Sequence, residues 1–130
     1  MKQKIGFIKG VNVLKGQIVK QTGGAGTSYV ALNVPARVMV TDVLIHITEA
    51  WAGGTSLDLG DLGDTDGFLA NANLTKTLDA WSGGDCSVRG AYLLNGLRKW
   101  YASATNLLYT IVGTYTTGKA EVYVAFVKLE

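Results

Sequence analysis

Short runs of alternating apolar and polar side chains recur along the chain, each soon ended by glycine-rich or Asn/Asp-rich sequence. A period of two marks a strand with one face in a core. The clearest run is Arg37–Thr48, where Val43, Ile45 and Ile47 fall on one face and Leu44, His46 and Thr48 on the other. Its first half, Val38, Val40 and Asp42, is out of phase with the second, and a β-bulge near Thr41-Asp42 reconciles the two. Such a bend suits a strand passing between two packed sheets.

Further strands are predicted at Lys4–Lys9, at Val11–Leu14 and Gln17–Lys20 (split by Lys15-Gly16), and at Tyr29–Val34, which Pro35 ends. Leu57 and Leu59 alternate with Asp58 in another. Gly90–Leu94 and Arg98–Tyr101 are weaker runs, and Leu107–Val112 and Ala120–Leu129 close the series, separated by the turn-rich Gly113–Gly118. Phe68-Leu69-Ala70 reads as a short helical turn within the irregular, acidic stretch Glu49–Ser87. In the last run Val122, Val124 and Phe126 share one face, and Tyr123, Ala125, Val127 and Leu129 the other. A strand apolar on both faces is covered twice, once by the core and once by another element or subunit.

No helical periodicity, heptad or solenoid repeat is present. The pattern predicts an all-β fold, an antiparallel β-sandwich. A jelly-roll-like form is preferred over an immunoglobulin-like one because the Cys–Trp–Cys signature is missing. Residues 1–10 read as a basic N-terminal arm and 11–130 as a single sandwich domain.

Composition changes this picture in one respect. The 130 residues are 48% apolar and only 17% charged, against about 25% charged in a typical domain. That leaves more apolar surface than one small domain hides, and copies of the same chain are its simplest cover. The net charge of +2 is unevenly spread. Residues 1–37 carry Lys2, Lys4, Lys9, Lys15, Lys20 and Arg37 without an acid, whereas residues 38–88 carry eight acids against Lys76 alone. The lysines lack clustered arginines or stacking aromatics, which argues against nucleic acid. A basic arm lying on an acidic surface, its own or a neighbour's, fits better. Neither a signal-peptide stretch nor a run of membrane-spanning length is present, so synthesis in the cytosol and no membrane partner are expected.

Residues suited to catalysis are scarce. Cys86 has no basic neighbour in sequence to make a thiolate, and His46 lies mid-strand. A Gly-x-Ser-x-Gly elbow is lacking, and the loops Gly23-Gly24-Ala25-Gly26 and Gly53-Gly54 do not precede a helix. The sharpest local motif is Asp58-Leu-Gly-Asp61-Leu-Gly-Asp64-Thr-Asp66-Gly67. Its carboxylates suggest calcium, but aligning Asp64, Asp66 and Gly67 with an EF-hand puts Leu62 and Asn73 where acidic ligands belong. The alternative is a tight surface loop of Asx-turns. A glycosidase pair is disfavoured because the acids crowd one loop, with only Glu49 as a second candidate. No enzyme activity, cofactor or metal is expected. Trp51, Trp81, Trp100 and Tyr101 sit beside turns or in weak strands, and three roles are open to them: capping the core, anchoring an interface, or stacking on sugar rings.

Three stretches carry a resemblance: Val34-Pro-Ala-Arg-Val-Met-Val-Thr-Asp-Val-Leu-Ile-His-Ile-Thr-Glu-Ala50, Asp58-Leu-Gly through Asp64-Thr-Asp66-Gly-Phe-Leu-Ala70, and Gly118-Lys-Ala-Glu-Val-Tyr-Val-Ala-Phe-Val127. In this order, over residues 34–128, the chain resembles small virion proteins of tailed bacteriophages encoded among head and neck genes. The resemblance implies a capsid decoration or cement protein on the head exterior, found in the virion after assembly in the host cytoplasm. It implies a homo-oligomer, a trimer in preference to a dimer, and the major capsid protein as partner. Under this reading Lys2, Lys4, Ile5, Phe7, Ile8 and Lys9 contact the capsid or a neighbouring subunit, and Tyr123, Ala125, Val127 and Leu129 form the oligomer interface. Rival readings are a neck, tail or fibre subunit, and a carbohydrate-binding module working through Trp51, Trp81 and Trp100.

Overall fold

Val43, Ile45 and Ile47 meet Val122 and Val124 in the core, where all five are fully buried. They belong to two long neighbouring strands that organise the molecule. The computed structural model describes residues 12–20, 27–74, 81–82, 89–94 and 97–129. Among these, the strands are β1 (Asn12–Val19), β2 (Ser28–Val34), β3 (Val38–Gly53), β4 (Ser56–Gly60), β5 (Leu69–Ala72), β6 (Trp81–Ser82), β7 (Lys99–Tyr101), β8 (Thr105–Val112) and β9 (Tyr115–Lys128).

One sheet is ordered β1-β9-β3-β6, with β7 also pairing with β3; the other is ordered β2-β8-β4-β5. Every pairing is antiparallel. With the short β7 set aside, the pairing is nested: the first strand with the last, the second with the next to last, β3 with β6 and β4 with β5. This is the antiparallel, jelly-roll-like sandwich that the alternation predicts.

The bulge lies where the phase slip in the sequence requires it. Val40 pairs with Phe126 but Asp42 pairs with Ala125, leaving Thr41 as the extra residue. The hydroxyl of Thr41 donates to the Ala125 carbonyl at 3.2 Å, and Asp42 Oδ1 accepts from the Val43 amide at 2.8 Å. The slip keeps Val38 and Val40 on the same inner face as Val43, Ile45 and Ile47.

Several expectations are corrected. Lys15-Gly16 does not split the first run, because β1 crosses it unbroken. A Cβ at Gly16 would strike the Ala31 carbonyl oxygen and stand 2.8 Å from Leu32 Cβ, so the glycine lets β1 lie against β2 where the sandwich closes. Phe68-Leu69-Ala70 is not helical. The Phe68 amide donates to Leu59 O at 2.9 Å, and Leu69 then pairs with Leu59 as β5. Gly90–Leu94 is a turn closed by the Leu93 and Leu94 amides on Gly90 O, not a strand. Gly113–Gly118 is mostly strand, because β9 begins at Tyr115. Gly118 (φ +148) is a glycine because the Trp51 ring occupies the place of its side chain. The predicted strand Lys4–Lys9 lies outside the described residues.

Candidate interaction surface

The outer face of the β1-β9-β3 sheet is built in cross-strand rows. Trp100, Met39 and Val127 form one row across β7, β3 and β9. Val13, Ala125 and Asp42 form the next, with the Asp42 carboxylate paired to Arg89 at 3.0 Å, and Lys15, Tyr123 and Leu44 the one after. Alternation puts these residues outside because their neighbours Tyr101, Val38, Val40 and Val124 are committed to the core. Trp100 is 42% exposed and Val127 41%, with Val13 and Leu129 similarly open. Tyr123, Ala125, Met39 and Leu44 are half-buried. The structure thus places Tyr123, Ala125, Val127 and Leu129 on one largely apolar band, interrupted on β3 by Asp42, and adds Trp100, Met39, Leu44 and Val13 to it. The sequence signal for Met39 and Leu44 was present in β3, where they flank the polar bulge residues Thr41 and Asp42, but Trp100 needed the β7 pairing.

The band ends in a polar cluster around Glu121. Its Oε2 accepts from Lys15 Nζ at 2.7 Å, and its Oε1 accepts from Tyr123 Oη at 2.8 Å and lies 3.4 Å from His46 Nδ1. The hydrogen bonds from Lys15 and Tyr123 hold the Glu121 carboxyl down to about 2 against a partial burial cost. The same contact raises the Lys15 ammonium. His46 is therefore part of a polar surface cluster at the end of the apolar band.

The other aromatic candidates divide. Trp51 is 3% exposed, donates its indole N–H to Lys119 O at 3.1 Å and packs edge-on against Tyr115 at 5.0 Å. It belongs to the core and offers no ring to a sugar. The Trp81 side chain lies outside the described residues, as do Lys2, Lys4, Ile5, Phe7, Ile8 and Lys9. Trp100 stands exposed, within the apolar band.

The acidic loop is organised by one carboxylate. Asp61 is buried; its Oδ1 accepts from the Gly63 amide, the Asp64 amide and Tyr92 Oη, each at 2.9 Å, and its Oδ2 accepts from Tyr101 Oη at 2.6 Å. Burial pushes this carboxyl up, but the bonds from Tyr101, Tyr92, Asp64 and Gly63 outweigh it and leave it below its ordinary range. Burial and the Asp61 bond push both phenols well above theirs. This is the Asx-turn reading of the loop, with its key acceptor satisfied by protein donors. Among the described residues no group of three or more His, Cys, Asp or Glu side chains is arranged to hold a metal. Sequence reasoning missed Tyr92 and Tyr101 as the partners, because both lie far along the chain from the loop.

No protein-family model matches this chain. No curated protein matches it either. Solved structures share its fold. A chain of the cyanophage Pam1 capsid asymmetric unit superposes with a TM-score of 0.62 and 17% identity, covering 99% of this chain and 92% of that one. A chain of the acidic stable capsid structure of Helicobacter pylori bacteriophage KHP30 gives 0.55 at 11% identity, over 88% and 85%. A chain of the Ralstonia phage GP4 capsid gives 0.51 at 13% identity, over 93% and 86%. At these identities the likeness is one of fold. It spans nearly the full length of each partner, so those chains are similarly small.

Proposed function

We propose that this chain is a non-catalytic structural protein of a phage virion, a decoration or cement protein that binds the head exterior and stabilises the shell. The observation that carries the reading is the apolar band Trp100–Met39–Val127 with Val13, Ala125 and Tyr123, exposed on a fold shared with small chains of three phage capsid structures. The band packs against further copies, in a trimer, burying surface that one sandwich leaves open. The basic segment Lys2–Lys9 contacts the shell or a neighbouring copy. Many modest contacts repeated by symmetry then give avidity without a tight single site.

Purified protein mixed with undecorated heads tests this. Co-sedimentation at a copy number that scales with the shell subunits is expected. Binding confined to one vertex would move the assignment to a neck component, and no binding would reject the virion role on the head.

A further inference from the structure

Leu62 is the most exposed large apolar side chain among the described residues, at 87%. It is held out by a rigid device: the flanking Asp61 and Asp64 exchange backbone hydrogen bonds, and the Asp61 carboxylate fixes the Gly63 and Asp64 amides. Beside it on the outer face of the second sheet runs a groove of about 290 Å³ lined by Leu62, Ala104, Thr105, Asn106 and Leu108. An ordered turn that presents a leucine to water over a groove of mixed polarity is a poor choice for solubility and a good one for docking.

The loop that presents Leu62 is acidic. It carries Asp64 and Asp66, with Asp64 Oδ1 accepting from the Asp66 amide at 3.4 Å, and Asp58 stands two residues before Gly60, the partner of the groove residue Leu108. Among the described residues no basic side chain forms an ion pair with any of them. The occupant that fits is apolar and basic. Residues 1–11 have this chemistry: Ile5, Phe7 and Ile8 stand among Lys2, Lys4 and Lys9, and acids are lacking.

Connectivity agrees. Asn12 pairs with Phe126, Phe126 with Val40, and Val40 with Lys99, while Tyr101 bonds to Asp61. β1 therefore starts at the same end of the sandwich as the Leu62 loop. Eleven extended residues reach up to about 36 Å at roughly 3.3 Å each, far beyond the roughly 10 Å between packed sheets. β1 belongs to one sheet and the groove opens on the outside of the other, and this reach is enough to span to the groove of a neighbouring copy.

We infer that the groove beside Leu62 receives the Lys2–Lys9 segment of a second copy, so that copies are tied by exchanged arms. This deepens the reading of the chain as a self-associating structural protein and rests on it. The test uses the full chain with Cys86→Ser, Ile8→Cys and Leu62→Cys, oxidised under mild conditions and run without reductant. A ladder of chains joined by disulfides is expected, absent in either single-cysteine control and reduced at least tenfold when Lys2, Lys4 and Lys9 are changed to Glu. Bonds formed only within one chain, or none, would overturn the exchange. Thermal unfolding of each variant reports that the sandwich is intact. Head co-sedimentation of the unoxidised protein is scored separately, so loss of shell binding with the ladder retained counts against the virion role alone.

Discussion

Tyr101 Oη donates to Asp61 Oδ2 at 2.6 Å, joining β7 at the edge of one sheet to the loop that leaves β4 in the other. At 6% exposure the carboxylate gives water little access to replace a lost donor. Removing the hydroxyl leaves a buried charged acceptor short of a partner. Tyr101→Phe is expected to cost about 1.5–3 kcal/mol, measured as a shift in urea midpoint at unchanged slope. A change within about 0.5 kcal/mol would show that the loop is held by other means.

Acid acts on two carboxylates whose folded values are depressed. Each contributes stability that is fully present above its unfolded value and is lost as pH falls through its folded value. For Glu121 the window runs from its ordinary 4.5 down to about 2. Asp61, also lowered, adds its loss below the ordinary aspartate range. Stability should therefore decline with acidification below pH 4.5. Glu121→Gln should flatten the upper part of the decline in denaturant titrations run across this range, and a parallel curve would remove Glu121 from the account.

Tyr115 presents the opposite case. Its hydroxyl is buried with no hydrogen-bond partner among the described residues, while its ring packs on Trp51. Tyr115→Phe keeps the ring contact and deletes the unpaired group, so stability should hold or rise by up to about 1 kcal/mol. A loss of more than about 1 kcal/mol in thermal unfolding would mean that the hydroxyl has a partner.

The apolar band gives a prediction about association. Val127→Asp and Trp100→Asp place charge on outward positions that contribute little to the core. Sedimentation velocity should show a shift to the monomer, with folding stability changed by no more than about 0.5 kcal/mol. Unchanged oligomers would move the interface elsewhere.

The sequence carried the fold further than the site. The phase slip between Val40 and Asp42 identified the bulge because a period of two is a local property, legible wherever one face is buried. The two-sided apolar pattern of Tyr123–Leu129 likewise marked the outer band. Gly16 was misread as a break because its reason is the backbone of Ala31, which no local pattern reveals. Phe68-Leu69-Ala70 has no period to read, and its pairing with Leu59 decides its form. In the acidic loop, four aspartates looked alike in sequence. Tyr92 and Tyr101 single out Asp61 as the buried one, and only the folded chain brings them there.

The nested order has a consequence for how the molecule is made. β9 is flanked on both sides, by β1 and by β3, yet it comes last among the described strands. Until it emerges from the ribosome, β1 lacks the one partner it has in its sheet among the described residues. Closing this sheet therefore depends on contacts distant in sequence, which favour slow and aggregation-exposed folding. Clipping even the final strand should yield insoluble material rather than a smaller working unit.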